Sequence, residues 1–450
     1  MMKKFGILML LTLMSHFAFL PQEGIAQENE IVHLTVEDAI RIGLQQNFGI
    51  LIAENEAEID RLNRTLGNAG FLPRLQLIGS REQIYETESE TRENLPEETE
   101  DTEVTLVSAD LELNWTLFDG GRMFVTWQKL GELRDLGETM ARIEIENTVR
   151  DIITEYYEIV REQNMLDVLR SSVEISEDRY NIAQTKRDLG SGTEFELLLA
   201  RSDLNTDIAE VLRQEVVVNS AKLDLIRILD LDTDIEFTVT EEIVTSDYME
   251  WADLEALFYE NNRQMEAARQ RVEISELELK EIRRERFPQL DLNMGYTYNH
   301  EEIRNALILQ GQTDGYYVGL TARINLFDGF NTNRRVQIAK IEQKNAEIEL
   351  NEAFRTLETA LRAEYKNYTS VLQLVELESE NLQLAVDALE IALEQFRLAT
   401  ITSVELREAQ NILINTENRL IDGQFDAKIS ETELLRLAGE LLTFGEGELE

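Results

Sequence analysis

The feature that most limits what this chain can fold into is a repetition. Leu117-Phe118-Asp119-Gly120 returns as Leu326-Phe327-Asp328-Gly329, 209 residues later. Each copy follows a run of alternating apolar and polar residues and precedes a long helical pattern. Tyr156 and Tyr365, and Ala200 and Ala409, keep the same spacing without a gap. Upstream, Pro73-Arg74-Leu75 matches Pro288-Gln289-Leu290. The order helix, proline, strand, loop, strand, Leu-Phe-Asp-Gly, long helix, turn, helix thus occurs twice, and such self-similarity precedes any local interpretation. It predicts one body made of two structural halves, where 450 residues alone would allow two or three domains.

The expected division is a leader over 1–26, a first repeat over 27–232, a connecting segment over 233–250 and a second repeat over 251–450. Lys3 and Lys4, the mostly apolar run Phe5 to Leu20 and the small residues of Gly24-Ile25-Ala26 read as a secretory signal. A membrane anchor is the alternative, but the apolar run is short for a spanning helix. The chain has no cysteine. That excludes disulfides, thiolate chemistry, cysteine-ligated metals and a lipidated N-terminal cysteine. A formal net charge of −45 excludes a nucleic-acid partner, because phosphates would be repelled. At 43% hydrophobic residues the chain still has the means to bury a large core.

Pro73 and Pro288 each close a helical run and open an alternating one, where proline is tolerated. The strand pairs are expected over 74–118 and 289–327. Ala109, Leu111, Leu113, Trp115 and Leu117 alternate with Asp110, Glu112, Asn114 and Thr116. Leu290, Leu292, Met294 and Tyr296, then Tyr316, Val318, Leu320 and Ile324, alternate in the same way. Alternation alone fits a half-buried soluble sheet as well as a bilayer-crossing one. A leader in front favours an outer-membrane barrel, whose strands need about ten residues each. Two copies give four strands, whereas known membrane barrels start at about eight. An open sheet edge in lipid would leave backbone groups unsatisfied. The barrel is therefore expected to be shared between chains. Glu86 to Glu103 carries nine acids and one arginine and reads as a solvated loop, with cation bridging to anionic lipid as the alternative.

Thr35 is expected to cap a first helix running to about Ala69, with Asp38 as its box partner. In the second copy Leu254, Phe258, Asn261, Met265, Ala268 and Val272 begin a four-three stripe typical of a coiled coil. Long helical hairpins are expected over 121–230 and 330–442. A helix of roughly 68 residues makes a rod of about 100 Å, more than a compact domain needs. The hairpins should turn at Gly190-Ser191-Gly192-Thr193 and at Ala399-Thr400-Ile401-Thr402, with Thr193 capping the returning helix.

No catalytic or metal constellation is legible, and no cofactor is implied. Outside the leader only His33 and His300 are available as histidines. Phosphate-binding, dinucleotide and zinc-protease motifs are absent. Asn299-His300-Glu301-Glu302, in a predicted strand-to-strand loop, is the nearest approach to a metal ligand set.

Together these residues resemble the TolC-type outer-membrane efflux protein family over essentially the whole chain past the leader. The resemblance rests on the doubled Leu-Phe-Asp-Gly, on Pro73 and Pro288, on Asn47 and Asn262 in matching helices, and on the turns leading to Ala200 and Ala409-Gln410. It implies a mainly α fold with a transmembrane β part: a homotrimer with a shared twelve-stranded β-barrel in outer-membrane lipid. A long α-helical barrel of coiled-coil hairpins would extend into the periplasm. It also implies a passive exit duct of a tripartite efflux or type I secretion system, served by a periplasmic adaptor and an inner-membrane pump of RND, ABC or MFS type. The tips, Gly190 to Thr193 and Ala399 to Thr402, would meet the adaptor. Glu405 and Glu408, one helix face three residues apart, together with Glu196, would line the periplasmic aperture, where crowded like charges raise pKa values. In the family, tip-closing links use a Tyr and an Arg on the second tip and an acid on the first. The matching residues are Phe396, Ile401 and Glu196, so only the acid is kept. A periplasmic adaptor or coiled-coil scaffold without a channel is the competing reading; it predicts one hairpin, not two copies of strand pair plus hairpin.

Overall fold

The computed structural model describes residues 32–90, 98–239, 242–244, 249–304 and 308–442. The leader expected over 1–26 lies outside these residues, as do the middle of the acidic stretch and residues 443–450. The elements in chain order are β1 (Val32–His33), α1 (Val36–Gln46), α2 (Phe48–Asn63), β2 (Arg74–Glu90), β3 (Glu98–Asp119), α3 (Arg122–Asp188), α4 (Glu194–Leu229) and β4 (Phe237–Thr238). The second half supplies α5 (Trp251–Asn261), α6 (Arg263–Arg284), β5 (Gln289–Arg304), β6 (Ile308–Arg323), α7 (Asn331–Arg397) and α8 (Ser403–Ala438). Helices α3 and α7 have 67 residues each, and α4 and α8 have 36 each. At 1.5 Å per residue the long pair are rods of about 100 Å.

The first helix of each half is broken, contrary to the uninterrupted run expected from 35 to 69. The break is at Asn47 in one copy and Asn262 in the other, both with extended backbone. Asn47 accepts from the Ile50 N–H at 3.2 Å and donates its side-chain amide to the Ile228 carbonyl at 2.9 Å. Asn262 accepts from Met265 at 2.9 Å and donates to Leu437 at 2.8 Å. One side chain thus caps the start of a new helix and satisfies a carbonyl at the end of the returning helix, groups that helix ends leave without intrahelical partners. The break moves the buried stripe by one residue: Asn262 is buried, and Asn261 is not. The first helical stretch also stops at Asn63, and residues 64–73 form turns. Its start follows the expected capping, with the Asp38 N–H donating to the Thr35 hydroxyl at 3.1 Å.

The four long strands form one antiparallel sheet in the order β2-β3-β5-β6. The acidic stretch is less of a loop than expected, because β2 runs out to Glu90 and β3 begins at Glu98. Asn299 to Glu302 lie within β5 and pair with β3 and β6, so the loop expected there is strand. At the other end β6 stops at Arg323, short of the expected end at 327. The central strand β3 pairs on as far as Asp119, across a bulge between Thr116 and Phe118. A central strand has a partner on each side; the edge strand β6 has one, and leaves the sheet earlier.

The helices form two stacked layers. Near the sheet α2 packs on α3, α3 on α6 and α6 on α7; farther away α4 packs on α3, α3 on α8 and α8 on α7. Only α3 and α7 run through both layers. At the junction Ile152, Tyr156, Ile159, Leu225 and Phe237 form one core cluster. Phe258, Leu361, Tyr368 and Leu434 form its counterpart in the second half. The Tyr156 hydroxyl donates to the Leu34 carbonyl at 3.0 Å, and the short parallel pair β1–β4 covers this belt. None of the described helices is long and apolar enough to cross a membrane.

Candidate functional site

The sheet separates its side chains by face. In an antiparallel sheet residues opposite one another share a face. The register aligns Leu75, Leu113, Met294 and Val318 in one row, and Leu77, Leu111, Tyr296 and Tyr316 in the next. Trp115, Leu292 and Leu320 make a third row toward the helices. The intervening rows are Gln76, Glu112, Gly295 and Tyr317, and Arg74, Asn114, Asn293 and Gly319. Thr116 and Asp291 continue that polar face with a hydrogen bond of 2.9 Å. One face is thus an apolar band with aromatic residues toward its ends, and the other is polar.

The doubled Leu-Phe-Asp-Gly is the strand-to-helix joint. Asp119 is buried and accepts the Met123 N–H at 3.1 and 3.0 Å; Asp328 accepts the Thr332 N–H at 2.7 Å. Each carboxylate serves the first turn of a 67-residue helix, where free N–H groups and the dipole favour an anion. Hydrogen bonds from the Thr332 hydroxyl and N–H hold the Asp328 carboxyl below the usual carboxylate range. Two successive residues then take left-handed backbone: Gly120 and Gly121 in one copy, Gly329 and Phe330 in the other. A Cβ at Gly120 would stand 2.5 Å from the Phe287 Cβ and 2.7 Å from the Arg284 carbonyl, so this position demands glycine. Pro73 and Pro288 stand immediately before β2 and β5.

At the far end the two hairpin turns have the same construction. Gly190 and Ala399 are both left-handed, with φ of 76° and 59°. The Ser191 N–H bonds back to Lys186, and the Thr400 N–H to Gln395. Thr193 and Thr402 then cap the returning helices with capping boxes. Glu196 accepts the Thr193 N–H at 2.9 Å, and Glu405 accepts the Thr402 N–H at 2.7 Å. Two of the three expected aperture acids are therefore turned onto their own helix starts. Within the chain, the Glu405 carboxyl is held below its ordinary range by hydrogen bonds from the Thr402 N–H and hydroxyl. Glu408 is exposed, and Ile401 packs on the apolar cluster of Leu389, Phe396 and Leu406.

The structure supplies links between the tips that the sequence did not disclose. The Lys186 ammonium donates to the Phe396 carbonyl at 2.7 Å and stands 3.9 Å over the Phe396 ring. A few turns up, Arg407 of α8 pairs bidentately with the buried Asp207 of α4, at 2.6 and 2.7 Å. Asp207 also accepts from Ser176 of α3. The buried Gln410 amide donates to the Ser172 carbonyl and hydroxyl at 2.9 and 2.8 Å. Arg179, fully buried, pairs with Asp203 at 2.6 Å. Hydrogen bonding to Asp207 raises the Arg407 pKa, while burial lowers that of Arg179. The legible signal was there: Ser172, Ser176, Arg179 and Ala183 follow one another at four- and three-residue steps on the buried stripe of α3. Polar residues on such a stripe announce a partner across it.

Among the described residues no three metal-ligating side chains converge. Residues 40–229 and 256–440 match the family profile described as "Outer membrane efflux protein". A relative from Vibrio cholerae, "Outer membrane protein TolC", is 24% identical over 34% of this chain and 35% of its own length. "Protein CyaE" of Bordetella pertussis is 23% identical over 54% of this chain and 51% of its own. The chain thus spans about half or less of the length of these two relatives. Among solved structures, CusC superposes with a TM-score of 0.74 at 14% identity, covering 91% of this chain and 93% of that one. VceC from Vibrio cholerae gives 0.73 at 16% identity, over 90% and 96%.

Proposed function

Because the chain belongs to the outer membrane efflux protein family, we propose that it works as a homotrimeric exit duct of the outer membrane. In this reading an inner-membrane pump loads the duct through a periplasmic adaptor, and the duct conducts passively. The observation that carries the reading is the pair of open edges. The sheet ends in β2 and β6, the upper helical layer in α2 and α7, and the lower layer in α4 and α7. A sheet with one apolar and one polar face and two free edges suits neither water nor lipid alone. Repeating it by rotation pairs β6 with the next β2 and closes every layer together. Three copies of the four strands make twelve, enough for a barrel with lipid outside and a wet lumen. The family is one of efflux proteins rather than enzymes, in keeping with a sequence that offers no catalytic constellation.

The hairpin turns at Gly190 to Thr193 and Ala399 to Thr402 are the surfaces for the adaptor, and the entrance charge falls chiefly to Glu408. Glu405 and Glu196 divide their carboxylates between helix capping and the aperture. Light scattering of the detergent-solubilised protein should give three chains, and planar bilayers should show cation-selective conductance blocked from the periplasmic side by multivalent cations. Glu408→Ala with Glu405→Ala should lose that block. A folded, stable monomer would remove the shared duct; an unaltered block would move the aperture elsewhere.

A further inference from the structure

A continuous line of aromatic side chains leads from the apolar band of the sheet onto the helices. The Trp115 indole donates to the Phe71 carbonyl at 2.9 Å, and the Phe71 ring meets the exposed Phe124 ring edge-on at 5.2 Å. Trp127 stands three residues on from Phe124, on the same side of α3. The Arg64 guanidinium ends the line. It lies 5.0 Å over the Trp127 ring and against α3, where a Cβ at Gly131 would touch its Nε at 3.6 Å. Among the described residues Arg64 forms no ion pair, and its buried Nε has no hydrogen-bond partner, whereas nearby Arg61 is paired with Glu58. In a chain of 88 acids and 43 bases, an arginine held in place without a carboxylate is available to an anion from outside.

The surroundings carry matching charge. Residues 61–74 hold three arginines and no acid. In the second half the exposed Arg286 takes the place of Phe71, two residues before the proline, and donates to Asn333 at 2.7 Å. The opposite end of the sheet is acidic, with Glu98, Glu100, Asp101 and Glu103 on β3. We propose that the foot of the sheet binds an anionic phospholipid of the periplasmic leaflet, with Arg64 taking the headgroup phosphate and Trp115, Phe71 and Phe124 lying along the glycerol and upper acyl chains. This goes beyond the duct reading and rests on it only for the lipid-facing side of the sheet. Lipid is the occupant because the aromatic line continues the apolar band, and aromatics gather where such a band meets the headgroups. Arg64 stands over a residue about 4.5 Å farther along α3 than Phe124, a short step from the aromatic level toward the phosphates. Arginine offers a planar fork of donors to phosphate and stacks on an aromatic ring at the same time. Residues 61–74 present no carboxylate to the ammonium of a zwitterionic headgroup, so a lipid of net negative charge fits best.

Tryptophan fluorescence tests this on the full chain reconstituted in vesicles. The vesicles carry either phosphatidylglycerol or phosphatidylcholine brominated on the upper acyl chain, at equal mole fraction. Trp115 and Trp127 border the site, and Trp251, packed on Tyr365 in the second half, gives a constant background. One arginine near a headgroup layer gives about a five-fold preference for an anionic lipid. Brominated phosphatidylglycerol should therefore quench as a lipid bound about five-fold more tightly than brominated phosphatidylcholine. Arg64→Gln should bring that ratio close to one and keep the quenching by phosphatidylcholine, which reports that the variant is inserted. Arg61→Gln, three residues away, should leave the ratio nearly unchanged. Equal quenching by both lipids in the parent, or an equal loss of preference in the two variants, would overturn the lipid site and leave the duct standing. Quenching by neither lipid would take this face of the sheet out of the bilayer and overturn both.

Discussion

The Asp207–Arg407 pair makes the sharpest test of how the two hairpins are held together. Asp207 is buried, its partner's side chain is 23% exposed, and Ser176 and Gln410 complete the set. Asp207→Ala leaves the Arg407 guanidinium facing a desolvated site beside Arg179, which is itself fully buried. Removing one member of a buried pair costs about 3–5 kcal/mol, and the partial exposure of Arg407 argues for the lower end. At about 3 kcal/mol the local opening equilibrium shifts by roughly 150-fold. The natural assay is amide hydrogen exchange on the solubilised protein, followed in peptides over 172–183, 200–210 and 403–412, because exchange reports opening region by region. Asp207→Ala should speed exchange by about two orders of magnitude there and leave the sheet unchanged. Asp207→Leu with Arg407→Met should recover most of the protection, since both charges leave together. Unchanged exchange in the single variant, or a double variant as labile as the single, would refute the reasoning.

Three further outcomes follow from local geometry. Ala399 holds a left-handed backbone that costs a non-glycine residue about 1–2 kcal/mol, so Ala399→Gly should raise the thermal midpoint and Gly190→Ala lower it; equal midpoints would contradict the turn geometry. Leu113 lies in the apolar band and Glu112 in the polar rows, so Leu113→Arg should cost roughly 2–4 kcal/mol of barrel assembly while Glu112→Arg mainly alters conductance, and equal effects on assembly would reject the register. Glu146 is buried, and desolvation raises its pKa from 4.5 to about 7 against the pull of Arg263, Arg436 and Arg142. The folded state then holds a proton that the unfolded state has released, so Glu146 should make stability fall as pH rises from 4.5 to about 7 and stay level above. Glu146→Gln should remove that slope and gain at most about 3 kcal/mol above pH 7 in denaturant titrations; a slope that persists would place its origin elsewhere.

How much of this was legible in the sequence depended on whether a pattern repeated along the chain or had to be met from across it. The doubled Leu-Phe-Asp-Gly announced a joint before its chemistry was known, and the structure supplies the chemistry: an aspartate on a helix start followed by two left-handed residues. Alternation over 109–117 gave the sheet face, because its period is local to one strand. The break at Asn47 was hidden, since an asparagine in a polar helical stretch looks unremarkable until its amide finds the Ile228 carbonyl far along the chain. The partnership of Arg407 with Asp207 was hidden for the same reason: 200 residues separate them.

The aperture acids mark the limit of that legibility. Three-residue spacing put Glu405 and Glu408 on one helix face, and what tells them apart is the Thr402-x-x-Glu405 pattern at the helix start. In space they differ, because Glu405 sits three residues past a threonine cap and its carboxylate is drawn onto the Thr402 N–H, whereas Glu408 lies past the first turn and is exposed. Glu196 behaves as Glu405 does, on the equivalent Thr193. The duplication had equated the tips by position, and the capping boxes equate them by chemistry. A Thr-x-x-Glu pattern at a helix start satisfies two orphan N–H groups reciprocally. A glutamate in that pattern is first a structural group, and it adds to an entrance field only with the lone pairs its cap leaves over. In the proposed duct, charge at the opening is therefore expected from acids beyond the first turn, such as Glu408.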